Sequence, residues 1–152
     1  MKIKEKLKEL NIELPDAPAP VGAYVPFKKT NNLLFISGQL PISKDGKMIK
    51  GKIGKDLKLE DGNKAAKLCV INILSQLKKA LNGDLSKVKS CVKITGFVNS
   101  SDDFADQPKV INSASEILST VLEPNGKHAR AAVSTNSLPL NAAVEIDAIF
   151  EI

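Results

Sequence analysis

A chain of 152 residues that is 43% hydrophobic and 26% charged has the size and composition of one folded domain with its own core, which excludes disorder. No apolar run is long enough to span a bilayer and no apolar core of signal-peptide length follows Met1, so a cytoplasmic protein without membrane contact is expected. The net charge of +5 comes from lysines dispersed among acids, and only 4% of residues are aromatic, which argues against nucleic acid as the main partner.

Ile3, Leu7 and Leu10 recur at helical spacing among lysines and glutamates, predicting a short amphipathic helix in an N-terminal extension over 1–14. Pro15, Pro18 and Pro20 then enforce an extended connection. Short strands are predicted over Ala23 to Phe27 and Leu33 to Ser37, with Lys28 to Asn32 as the turn between them. Asp45-Gly46 marks a further turn before a third strand at Met48 and Ile49.

The longest helical pattern runs from about Glu60 to Leu81, where Ala65, Leu68, Cys69, Leu74, Leu77 and Leu81 form one stripe and Gly83 follows the end. Val88 to Val98 reads as a strand with Val92, Ile94, Gly96 and Val98 on one face and Lys93, Thr95 and Phe97 on the other. Pro108 suits the first turn of a second helix, whose stripe is Ile111, Ala114, Ile117, Leu118 and Val121, and Pro124-Asn125-Gly126 ends it.

Two final strands, Ala129 to Thr135 and Ala142 to Ile152, are joined through Ser137 to Leu140. In the last, Val144, Ile146, Ala148 and Phe150 alternate with Glu145, Asp147, Ile149 and Glu151, so one face is core and the other carries carboxylates. The order of elements predicts an α+β fold over 1–152, a single domain with two main helices on one face of a sheet.

Most catalytic apparatus is missing. His128 is the only histidine, no nucleophile elbow is present, and Cys69 and Cys91 read as buried free thiols rather than as nucleophiles or metal ligands. Gly51-Lys52-Ile53-Gly54-Lys55 has neither phosphate-loop nor dinucleotide-loop spacing. An enzyme built from these residues works without metal, cofactor or covalent intermediate, on a substrate that is already reactive.

Arg130 is the only arginine among 22 basic residues, and it lies in the largely apolar run His128 to Val133. Guanidinium is a planar fork that grips both oxygens of a carboxylate, which lysine cannot do. Glu145 is the carboxylate best placed to activate a water, because it interrupts an apolar strand. If the two last strands pair, residues 130 and 145 lie roughly opposite each other, which leaves two readings open: a substrate clamp with its water partner, or a structural ion pair.

Gly22-Ala23-Tyr24, Phe35-Ile36-Ser37-Gly38-Gln39-Leu40-Pro41, Val110-Ile111-Asn112, Ala129-Arg130, Leu138-Pro139 and Val144-Glu145-Ile146 together resemble the RidA family, also called YjgF, over residues 17 to 152. The match is closest to its longer branch, which bears an extra N-terminal helix and the run Asp106 to Asn112. The resemblance implies a chorismate-mutase-like fold assembled as a homotrimer, with ligand clefts between subunits. It implies hydrolysis of enamine or imine intermediates such as 2-aminoacrylate to a 2-oxo acid and ammonia. Arg130 would bind the substrate carboxylate, Glu145 would orient or activate water, Tyr24 would line the cleft from a neighbouring subunit, and Ser37 and Asn112 would be polar cleft residues. Where the archetypal members carry a cysteine two places after the arginine, this chain has Ala132. Two alternatives accompany this reading: a non-enzymatic trimer that holds a small carboxylate or 2-oxo acid, and, more weakly, an endoribonuclease or RNA binder.

Overall fold

The computed structural model describes residues 2–152, which form α1 (Ile3–Glu9), β1 (Phe27–Thr30), β2 (Leu33–Gln39), α2 (Leu59–Ala80), β3 (Ser90–Asn99), α3 (Gln107–Val121), β4 (Ala129–Thr135) and β5 (Val144–Glu151). Single 3₁₀ turns occur at Leu85–Lys87 and Pro139–Asn141. The strands make one mixed sheet in the order β1-β2-β5-β3-β4, antiparallel except for the β3–β4 pair. Helices α2 and α3 cover one face, giving the expected α+β layers.

The strict alternation of β5 puts it at the centre. Val144, Ile146, Ala148 and Phe150 are buried under the helices, while Glu145, Asp147, Ile149 and Glu151 are half-buried on the opposite face. Helix α2 buries Ala65, Ala66, Cys69, Val70, Ile73, Leu74 and Leu77 against this face, and α3 buries Val110, Ile111, Ala114, Leu118 and Val121. Gly96 lets α3 approach, since a β-carbon there would lie 2.5 Å from Ile111 Cδ1. Helix α1 packs Ile3 and Leu7 into the same core as its spacing predicts, whereas Leu10, just past the end of the helix, is exposed.

Four sequence expectations need correction. The first hairpin is displaced: residues 23–26 are irregular, β1 extends to Thr30, and the turn shrinks to Asn31-Asn32, with Asn31 at φ 50°. Lys28 and Lys29 read as turn residues, yet an edge strand tolerates exposed lysines. Met48 makes an isolated bridge to Ile42 rather than a strand. Val92 is exposed because a register irregularity between Cys91 and Lys93 turns Cys91 into the core instead.

Most important, β4 and β5 are not neighbours: β3 lies between them. The α3 crossover sets β4 parallel to β3, and the chain must then pass the end of β3 to reach β5. A polar hub supports that passage. Lys52 Nζ donates to Asn99 Oδ1 at 3.0 Å and to the Asn136 carbonyl at 2.6 Å, while buried Asn99 Nδ2 donates to Gly51 O, Asn141 Oδ1 and Ala142 O. These bonds satisfy an irregular loop that no ladder supports.

Candidate functional site

Arg130 aligns with Ile94 of β3, on the helix-covered face at the open edge of the sheet. Its Nη1 donates to Asn112 Oδ1 at 2.8 Å and to Ser115 Oγ at 3.2 Å, both on α3. Ser115 Oγ lies 3.0 Å from His128 Nε2, and His128 Nδ1 lies 2.7 Å from the Gly126 carbonyl. The carbonyl can only accept, so Nδ1 carries a proton, and in the neutral imidazole Nε2 accepts from the Ser115 hydroxyl. Ser115 is thereby left with its oxygen turned to Arg130. One nitrogen of the guanidinium is anchored by this relay, and among the described residues Nε and Nη2 have no hydrogen-bond partner. That leaves the side-on edge of the fork, the edge that suits a bidentate carboxylate.

Glu145 aligns with Phe97 of β3 on the uncovered face. Its seat depends on Gly38, because a β-carbon at 38 would come within 2.9 Å of Glu145 Cδ and 3.0 Å of Oε2. The register of β2 against β5 is irregular between Ile36 and Gln39, and Gln39 Nε2 folds back to donate to Ser37 O at 2.9 Å, holding that irregularity. Partial burial, and secondarily the charge of Asp147, raise the Glu145 pKa above the ordinary glutamate value. A carboxylate in that setting keeps its proton to higher pH and is a stronger base once ionised.

Ser37 precedes Gly38 in β2, and Tyr24 lies in the chain before β1. Ser37 Oγ donates to Val25 O at 2.7 Å, tying the chain before β1 to β2. Tyr24 is half-exposed, and its hydroxyl accepts from Val21 N–H at 3.3 Å. The candidate residues therefore form two groups. Arg130 and Asn112 meet directly, while Glu145 packs on Gly38, Ser37 is the neighbour of Gly38 in β2, and Tyr24 lines a small cavity with Gly38.

The two groups do not meet within one chain. Across the sheet Arg130 aligns with Ile94 and Ala148, which are core-facing, whereas Glu145 aligns with Phe97 and Val133 on the other face. Among the described residues no carboxylate pairs with Arg130, so the structural Arg130–Glu145 ion pair does not form. The reason is the β3 strand inserted between β4 and β5.

Ser115, Gly38 and Gln39 enter this geometry without a signal strong enough to single them out in the sequence. Ser115 follows Asn112 at i+3 on α3, which is the one hint that both could face β4. The two thiols stay out of the chemistry: burial raises the Cys69 pKa well above its usual value and pushes that of Cys91 up to about 12. Among the described residues no three histidine, cysteine or acidic side chains gather as a metal site, and no helix is long and apolar enough to cross a membrane.

A family model described as "YjgF/chorismate mutase-like, putative endoribonuclease" matches residues 4–151. Protein TCP17 of Trypanosoma cruzi is 41% identical over 152 residues, covering 99% of this chain and 94% of that protein. An Agrobacterium tumefaciens protein of unknown function superposes with a TM-score of 0.91 at 50% identity, covering 99% of this chain and 93% of that one. A Shewanella oneidensis structure that carries the endoribonuclease designation superposes with a TM-score of 0.95 at 29% identity, with 100% of both chains covered.

Proposed function

The chain belongs to the RidA/YjgF family, and from that premise we propose that it is a cofactor-free hydrolase of small imines and enamines that bear a carboxylate, working as a homotrimer. The single observation that carries the reading is the anchored guanidinium: Arg130 is fixed at Nη1 by Asn112 and Ser115 while its Nε–Nη2 edge has no protein acid to hold. A structural arginine in a partly apolar strand would be expected to have its own carboxylate.

In this reading an enamine tautomerises to the imine, whose carboxylate lies across the free edge of Arg130. Glu145 takes a proton from water as its oxygen adds to the C=N carbon, and passes the proton to nitrogen. Glu145 then takes the proton of the carbinolamine hydroxyl and delivers it to nitrogen as the C–N bond breaks and the C=O bond forms, releasing ammonia and the 2-oxo acid. The reactant is already activated, so fixing it and one water supplies several kcal/mol of barrier lowering, and the charged clamp about 1.5–3 kcal/mol.

The opposed placement of Arg130 and Glu145 supports a site shared between two copies. The uncovered sheet face also supports assembly, with Phe35 40% and Val133 45% exposed beside half-buried Phe97 and Ile149. In the trimer, the Arg130 edge of one subunit faces the Tyr24, Ser37 and Glu145 side of the next.

The test generates 2-aminoacrylate and related imines with a dehydratase or an amino-acid oxidase and follows 2-oxo acid release in competition with semicarbazide. The protein accelerates release, and Arg130→Ala abolishes the acceleration. Saturable binding of 2-oxo acids with no acceleration would instead identify a ligand-binding trimer.

A further inference from the structure

Gln76 lies in the middle of α2, is 1% exposed, and is used by neither group of site residues. Its Nε2 donates to Pro18 O at 2.7 Å and, more weakly, to Gln39 Oε1 at 3.4 Å. Both partners are acceptors, so the orientation of the amide is fixed by its bonds. Gln76 Oε1 points away from them, buried and without a protein partner. A buried amide oxygen left unpaired is costly enough that native proteins almost always provide a donor.

A cavity of about 50 Å³ adjoins this amide, walled by Pro18, Pro20, Tyr24, Gly38, Gln39 and Gln76. That is ample room for a water, which needs about 10–15 Å³ of such space. Gln39 lines the same cavity, and its Oε1 receives only the long bond from Gln76. One water donating a proton to each oxygen would complete both side chains.

The two glutamines join the parts that shape the Glu145 side of the site. Gln76 holds the extended connection at Pro18, six residues before Tyr24, and Gln39 holds Ser37 O at the strand irregularity where Gly38 seats Glu145. We propose that Gln76 is a positioning residue which, through Pro18 and a resident water shared with Gln39, fixes the segment carrying Tyr24 against the Gly38 seat. Its value to catalysis rests on the proposed function, but the placement of Tyr24 can be measured without any turnover.

Tyr24 is the only tyrosine and the chain has no tryptophan, so intrinsic fluorescence reports this one ring. The full-length protein and Gln76→Met, a change that keeps the volume and removes the amide, are compared by acrylamide quenching, with circular dichroism confirming the fold. Release of the segment raises the quenching constant at least about twofold. Unchanged quenching in a folded Gln76→Met protein overturns the proposal, whatever the enzyme assay shows. A crystal structure of the unaltered protein is the second measurement: it should show a water within hydrogen-bond distance of both Gln76 Oε1 and Gln39 Oε1, and no density there overturns the proposal even if the variant does not fold.

Discussion

Arg130 and Glu145 stand on opposite faces of one sheet, with β3 running between the strands that carry them. No side-chain rearrangement within one chain brings a guanidinium and a carboxylate through a sheet. If both serve one substrate, they do so from different subunits.

Arg130→Lys keeps the charge and loses the fork. Catalytic efficiency on carboxylate-bearing imines should fall about 10- to 100-fold, the equivalent of about 1.5–3 kcal/mol for a charge-assisted contact. Thermal stability should stay close to that of the unaltered protein, because Arg130 compensates no buried acid. Steady-state kinetics and a melting curve on one preparation check both halves.

Ser115→Ala removes the hydroxyl that links His128 to Arg130 and leaves the Asn112 contact intact. The expected effect is a rise in KM of about 3- to 10-fold with a smaller change in kcat, because the guanidinium loses one of its two anchors and keeps the shorter one to Asn112. An equal fall in kcat and kcat/KM would place Ser115 in the chemistry instead.

Glu145 has a raised pKa, first from burial and then from Asp147. A carboxyl that holds its proton more tightly when folded adds stability below its unfolded pKa and loses that contribution as pH rises through its folded pKa. At neutral pH the ionised group is therefore a net cost, and Glu145→Gln should raise Tm by about 1 °C, allowing for the group's partial exposure to solvent. The same substitution should abolish turnover. In the unaltered enzyme, activity should rise with pH on an acid limb whose midpoint lies above the ordinary glutamate value, as a pH–rate profile of kcat/KM would show.

Two glycines should separate stability from activity. Gly96→Ala drives a methyl into Ile111 and should cost about 1–3 kcal/mol in denaturant unfolding, as overpacking in a filled core does. Gly38→Ala meets the flexible Glu145 side chain instead, so it should unfold within about 1 kcal/mol of the unaltered protein and lose most of its activity.

What could be read from the sequence follows how local each signal is. Helices α2 and α3 and the two faces of β5 declare themselves because apolar spacing of 3.6 or 2 residues is carried by adjacent residues. The neighbours of β4 do not, because alternation says which face a residue takes and nothing about which strand lies beside it. Chain order alone therefore sets residues 130 and 145 opposite one another, where the structure inserts β3. Lys28 and Lys29 hid an edge strand behind polarity. The Arg130, Ser115 and His128 relay needs α3 packed against β4, and the role of Gly38 exists only in its contact with Glu145. Arg130 itself was legible because it stands alone among lysines.

Subunit complementation tests the central claim most directly. Arg130→Ala and Glu145→Gln chains, each inactive, are mixed in equal amounts under conditions where differently tagged subunits are seen to exchange, and imine hydrolysis is measured. A site built from Arg130 of one subunit and Glu145 of its neighbour is intact in about one case in four at random mixing, so about a quarter of the unaltered activity should return. Exchange without any recovery above the two parent variants would contradict the account.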